Sequence, residues 1–234
     1  MKDSSGNIWF GGYYNLKEID YSRKNIRHFP GLNGITAIIE KDSTHMWIGT
    51  STGLYLLEKA TGKYTYIQMP VESYYIYSLC QASDGMLYIG TNNAGLLVYD
   101  TTKNTFRHYH RDNCALISNN IYTLLSDGKG NIFLSTEHGL STFYPVEETF
   151  HNWTKEQGLK SDHFNAASGT LRKNGNFIFG STDGAIEFNK DMILPRDYKF
   201  KMVFSDLRVF YQTVYPKDEG SPLILDIDET KTLR

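Results

Sequence analysis

The residues of this 234-residue chain best suited to chemistry are aromatic and polar side chains set side by side at the ends of short apolar runs. Tyr13 and Tyr14, Asn92 and Asn93, Glu137 and His138, and Thr182 and Asp183 form one series. Tyr74 and Tyr75, Asn119 and Asn120, and Asp162 and His163 form a second. Rings cover the C–H faces of a sugar while Asn, Asp, Glu and His satisfy its hydroxyls, so this set suits binding of an oligosaccharide. Asn, Asp and Tyr also gather in turns for structural reasons, and for any one of these residues that ordinary role suffices.

Acid–base catalysis would have to come from Glu137, His138, His163 and Asp183, the one cluster in which His and carboxylates could converge. His108 and His110 alternate on a strand and could share a metal, but no third ligand stands at a diagnostic spacing, and an exposed outer strand explains them. Glu147 and Glu148 fall in a polar turn, where a solvated surface is the ordinary role of paired acids. There is no Gly-Xaa-Ser-Xaa-Gly elbow, HExxH pair or P-loop. No catalytic residue, metal or cofactor is therefore expected. Asn152-Trp153-Thr154 is a glycosylation sequon, relevant only in a eukaryotic secretory setting. Cys80 lies on an apolar strand and reads as a small buried hydrophobe, Cys114 lies in a loop, and nothing indicates that they pair.

The elements that position these residues repeat. A phrase recurs as Gly6-Asn7-Ile8-Trp9-Phe10-Gly11, Met46-Trp47-Ile48-Gly49-Thr50, Leu87-Tyr88-Ile89-Gly90-Thr91, Ile132-Phe133-Leu134-Ser135-Thr136 and Phe177-Ile178-Phe179-Gly180-Ser181. Its anchor falls at Gly11, Gly49, Gly90, Ser135 and Gly180, at intervals of 38, 41, 45 and 45. Each copy is followed by a short turn and an apolar strand, such as Gly95-Leu96-Leu97-Val98-Tyr99-Asp100, and then by an aromatic, alternating strand, such as Thr105-Phe106-Arg107-His108-Tyr109. Another apolar strand precedes the later copies, as in Ile76-Tyr77-Ser78-Leu79-Cys80. Four short strands per unit of about 40 residues, here named A to D, predict an all-β protein made of four-stranded antiparallel β-propeller blades. The anchor glycine is expected to let strand B approach a neighbour closely. The B–C and D–A loops, which hold the candidate residues, are expected at one end of the blades.

Composition agrees. Apolar residues make up 40% of the chain, and 17 Tyr, 13 Phe, 3 Trp and 20 Gly suit short strands and tight turns. The net charge of −2 argues against a nucleic-acid partner. No apolar run is long enough to cross a bilayer, and the N-terminal residues lack a signal-peptide pattern. The first copy opens at its A–B turn without a strand A, and after Asn189 the phrase does not return. We therefore expect about five blades over residues 1–195, belonging to a larger propeller, and the opening of an Ig-like β-sandwich or linker over 196–234, with strands near 199–204, 207–210 and 222–227.

The phrase, together with Asp84-Gly85, Gly95-Leu96 and Tyr99-Asp100, resembles the regulator-propeller repeat of bacterial hybrid two-component sensors. The leads Gly31-Leu32-Asn33-Gly34-Ile35 and Leu116-Ile117-Ser118-Asn119-Asn120-Ile121 resemble that family too, as does Phe204-Ser205-Asp206-Leu207-Arg208-Val209-Phe210, which is similar to the opening of its linker domain. Ser135 and Ile178 depart from the pattern. The resemblance implies a periplasmic, ligand-sensing region that does not itself catalyse, with a glycan as ligand and with further blades, a membrane span and a histidine kinase in a parent protein. Related propellers include a streptogramin-type lyase, so an enzyme remains an alternative, as does a protein-interaction scaffold.

Overall fold

The computed structural model describes residues 1–71, 75–189, 208–209 and 212–213. The chain divides into two units, Met1–Leu194 and Pro195–Arg234. The described residues of the first form β-strands and their connections, with one 3-10 turn, Lys155–Gln157.

Five antiparallel sheets follow one another along this unit. The first has three strands, β1 (Ile8–Gly11), β2 (Leu16–Ile19) and β3 (Ile26–Phe29). The second holds β4 (Ile35–Glu40), β5 (His45–Thr50), β6 (Gly53–Glu58) and β7 (Tyr64–Ile67), and the third β8 (Ile76–Gln81), β9 (Leu87–Thr91), β10 (Leu96–Asp100) and β11 (Thr105–Tyr109). The fourth holds β12 (Ile121–Ser126), β13 (Ile132–Thr136), β14 (Gly139–Tyr144) and β15 (Thr149–Trp153), and the fifth β16 (Phe164–Leu171), β17 (Asn176–Ser181) and β18 (Gly184–Asn189). Each is a sequential meander, so β4, β8, β12 and β16 are the A strands, and β1, β5, β9, β13 and β17 carry the repeated phrase as strand B. The described residues contain no A strand in the first sheet and no D strand in the fifth. The A strands of successive sheets run beside one another.

The phrase folds as it does because its turns are internally bonded. Asp42, Asp84 and Asp127 each accept a hydrogen bond from a backbone N–H two residues on, closing the A–B turns. Asp3 does the same for the Asn7 N–H. Such Asx bonds mimic a backbone turn. At the other end of strand B, the Thr50, Thr91, Thr136 and Ser181 hydroxyls donate to the carbonyls of Gly53, Gly95, Gly139 and Gly184, at 2.7–2.9 Å. Gly95 has φ 77°, a conformation natural to glycine, and a β-carbon there would strike the Tyr109 carbonyl.

Four apolar cores lie between consecutive sheets, all of one design. The ring in strand B of one sheet packs against the two residues that flank the equivalent position in the next. Trp9 meets Met46 and Ile48, and Trp47 meets Leu87 and Ile89. Tyr88 meets Ile132 and Leu134, and Phe133 meets Phe177 and Phe179. Period-2 alternation makes this possible, because the ring and its flankers point to opposite faces of the blade. All four rings are essentially fully buried, each contributing roughly 1.5–3 kcal/mol. Ile178 occupies the ring position of the last sheet. Its flankers Phe177 and Phe179 pack on the fourth sheet in the common way, with the Phe177 ring 4.4 Å from that of Phe133.

Polar groups join the first two sheets at the A–B turns. The Trp9 indole N–H donates to Asp3 Oδ2 at 2.9 Å, and Lys59 bridges Asp3 and Glu40. Arg27 pairs with Glu18 at 3.0 Å and donates to the Lys59 carbonyl.

Of the second unit, only the two-stranded ladder β19 (Arg208–Val209) and β20 (Gln212–Thr213) is described. The strands expected at 199–204 and 222–227 lie outside the described residues.

Candidate functional site

The B–C and D–A loops meet at one end of the blades through backbone hydrogen bonds. Gly34 N–H donates to the Tyr13 carbonyl, Ser51 N–H to Gly34, Asn92 N–H to Tyr75 and Thr182 N–H to His163, at 2.9–3.0 Å. The candidate loops are therefore neighbours in space.

A polar chain crosses three sheets at this end. Asn120 Oδ1 accepts from the Asn93 N–H at 2.8 Å, and Asn120 Nδ2 donates to Glu137 Oε2 at 2.7 Å. His138 Nε2 stands 4.0 Å from the same carboxylate oxygen. His163 Nδ1 lies 3.1 Å from the Glu137 carbonyl, and the two imidazole rings are 6.4 Å apart.

Beside this chain stands an aromatic group absent from the expected set. Strands β8 and β12 each carry a β-bulge, because the register slips between Ile76 and Ser78 and between Ile121 and Thr123. Tyr77 and Tyr122 are the residues left without a cross-strand partner, and a bulge re-aims its side chain. Their rings meet edge to face at 5.2 Å, and Tyr75 joins at 5.0 Å from Tyr77. Burial, then the neighbouring phenols and the Glu137 carboxylate, raise the Tyr77 phenol above its ordinary value. Burial and Glu137 raise Tyr122 likewise. Both rings are half-buried. The signal for these residues was the shared Ile-Tyr-Ser/Thr opening of two A strands.

The remaining candidates fall elsewhere. Tyr13 and Tyr14 stand over a separate cleft between the first and second sheets. Asp183 is exposed and bonded through its N–H to Ser181. Asn92 is half-buried beside Asn93. Tyr74 lies outside the described residues. His108 and His110 do come together, with rings 4.8 Å apart, but His108 Nε2 is engaged with the Ala94 carbonyl at 2.6 Å. Among the described residues, no group of three or more His, Cys, Asp or Glu is placed to hold a metal. Glu148 pairs with Arg107 of the neighbouring sheet, an inter-blade clasp.

Successive three- and four-stranded meanders, joined by ring-into-flanker cores with their loops gathered at one end, define this unit as consecutive blades of a β-propeller. Residues 70–93 match the family described as "Two component regulator propeller". The chain is 22% identical, over a 253-residue alignment, to "Histidine kinase P4" of Formosa agariphila, covering 99% of this chain and 18% of that protein. Among solved structures, it is similar to the extracellular domain of a putative one component system from B. thetaiotaomicron, with TM-score 0.70, 20% identity and coverage of 81% of this chain and 29% of that one. The extracellular domain of a putative hybrid two component system from the same organism superposes with TM-score 0.57 and 21% identity, over 82% of this chain and 33% of that one. Virginiamycin B lyase of Staphylococcus aureus shares the fold at TM-score 0.63 and 10% identity, covering 81% of this chain and 68% of the lyase. The chain spans under a fifth of the length of its kinase relative and about a third of the similar extracellular domains. Among the described residues, no helix is long and apolar enough to cross a membrane.

Proposed function

We propose that this chain is the ligand-reading part of an extracytoplasmic two-component sensor, that it lies in the periplasm and that its ligand is a saccharide. The observation that carries the reading is the convergence of Tyr75, Tyr77 and Tyr122 with Asn120, Glu137 and His163 at the loop end of three adjacent blades. Phenol faces suit the C–H surface of a sugar ring, and the amide, carboxylate and imidazole suit its hydroxyls. Binding there would bias the arrangement of the blades, and further blades and signalling domains of a parent protein would read that bias. Residues 196–234 are proposed to open the linker domain that connects them.

Calorimetric titration of the chain with an oligosaccharide panel, followed by chromatography of the mixture, tests this. Heat of binding with unchanged ligand is expected, and Tyr122→Ala is expected to weaken binding at least tenfold. Accumulation of a cleaved product would favour a second reading, a propeller lyase with Glu137, His138 and His163 as its acid–base group, which the likeness to virginiamycin B lyase keeps in view.

A further inference from the structure

The cleft between the first two sheets differs in character from the Glu137 region. It encloses about 460 Å³ at the loop end. Tyr13, Tyr14 and Tyr55 line it with Asn33, Ser51 and Thr52, and no Asp, Glu, His, Lys or Arg is among its lining residues. Tyr13 and Tyr14 are 77% and 72% exposed, so the core gains almost nothing from them. Their rings stand 4.7 Å apart and nearly perpendicular, at 83°, which offers one aromatic face and one edge at a corner. Tyr55 is braced from behind by Tyr64 and Tyr66, at 5.9 and 5.3 Å. The floor is the lead Gly31–Gly34, and a β-carbon on Gly34 would fall 2.3 Å from Ser51 Oγ. A side chain there would displace the hydroxyl from the wall of the cleft.

We infer that this cleft is a binding site for an electrically neutral saccharide, contacted on its ring face by Tyr13, Tyr14 and Tyr55 and on its hydroxyls by Asn33, Ser51 and Thr52. A uronate or sulfated sugar would meet no counter-charge among the lining residues to offset whatever hydration it gives up there, which disfavours it. A neutral sugar loses only hydroxyl hydration, and the Asn, Ser and Thr groups replace it. The loops around the cleft point the same way, since none of the 24 Lys and Arg side chains belongs to any of the five B–C turns. This inference rests on the saccharide reading above, but it assigns a different place and a definite charge class.

The test is titration of the full chain with neutral gluco-, xylo- and galacto-oligosaccharides and, separately, with oligogalacturonides and a chondroitin sulfate disaccharide. Wild type, the double variant Tyr13→Ala/Tyr14→Ala and the variant Glu137→Gln are compared, with thermal melts of each. The expected result is a binding event for a neutral oligosaccharide, separate from that at the Glu137 group, which the double variant weakens tenfold or more at an unchanged melting temperature and Glu137→Gln leaves intact, with the charged probes bound at least tenfold more weakly than the neutral one. Neutral binding that Glu137→Gln reduces and the double variant leaves intact would overturn the cleft assignment and leave the saccharide-sensor reading standing. Preferential binding of a charged probe, lost in the double variant, would overturn the charge class. Absence of binding by every probe would overturn both.

Discussion

Gly49 and Ile76 meet across the boundary between the second and third sheets, so closely that a β-carbon on Gly49 would lie 2.8 Å from Ile76 Cγ2. The contact repeats at Gly11 with Ile35, at 2.7 Å, and at Gly90 with Ile121, at 2.8 Å. Each of these three anchor glycines thus receives the first residue of the next strand A, and the glycine is there for space. The fourth junction departs from this. Ser135 is fully buried at the anchor, strand β16 slips register between Phe164 and Gly169, and the close approach moves to Gly169, where a β-carbon would lie 2.6 Å from Thr123 Cγ2.

Gly49→Ala is expected to destabilise the chain by about 1–3 kcal/mol through overpacking. Combined with Ile76→Ala, it should cost less than the sum of the two single changes, because removing the isoleucine frees the space. Urea unfolding of the four proteins measures the coupling, and additive costs would show that the two residues do not clash.

Lys59 holds the polar joint between the first two sheets. Burial alone would raise Asp3 and Glu40, but hydrogen bonds from Trp9 and Asn7 to Asp3, from Lys59 and Ser4 to Glu40, and the Lys59 charge hold both carboxyls below their ordinary values. Their contribution to stability is therefore complete above the unfolded values of 3.8 and 4.5 and fades as the pH falls through the lower folded ones. Burial raises Glu18, so its ionised form is a liability at neutral pH that is relieved on acidification. Lys59→Met should cost about 3 kcal/mol at pH 7, because it strands the facing carboxylates. The deficit should shrink as the pH falls below the unfolded values of 3.8 and 4.5 and through the lower folded ones. A deficit independent of pH in urea titrations would contradict this assignment.

Thr91 fastens the B–C turn that presents Asn92 and Asn93. Its buried hydroxyl donates to the Gly95 carbonyl at 2.7 Å and accepts from the Ala94 N–H at 3.1 Å. Thr91→Val keeps the volume but leaves the Ala94 N–H unpaired and the Gly95 carbonyl with only the Thr91 N–H, 3.3 Å away, at a cost of about 1–3 kcal/mol. Thermal denaturation would show the drop, and a melting temperature equal to wild type would mean that the turn is held by other bonds.

Thiol chemistry gives a check on the third and fourth sheets. Burial pushes the Cys80 thiol up to about 11 and raises Cys114 as well. Since the thiolate is the reactive form, iodoacetamide at pH 8 should modify neither at the rate of a free thiol in the folded chain, and both should react promptly in urea. Mass spectrometry of the alkylated protein reads the difference, and rapid labelling of Cys80 without denaturant would contradict its placement.

The blades were legible in the sequence because their information is local. A ring with flankers of opposite facing, an Asp that closes the turn before it, and a Thr that closes the turn after it all act within about ten residues. The candidate loops were legible as a set for the same reason, and Asn93, Asn120, Glu137, His138 and His163 do converge. Tyr77 and Tyr122 were read simply as strand residues. Their aim depends on a register slip against strand B, which arises from pairing and not from the strand's own pattern. Ile178 stands at the ring position, as read from the sequence, and its flankers Phe177 and Phe179 fill the core against the fourth sheet.

Taken alone, the order of residues determined the repeating unit of the blades and the identity of their strands, because each follows from period-2 facing and turn chemistry. Only the packing of one blade on the next decided which side chains face one another, separating the charged Glu137 group from the uncharged Tyr13–Tyr14 cleft. Residues some forty positions apart meet only when the ring of one sheet is seated between the flankers of its neighbour, and no local pattern encodes that geometry.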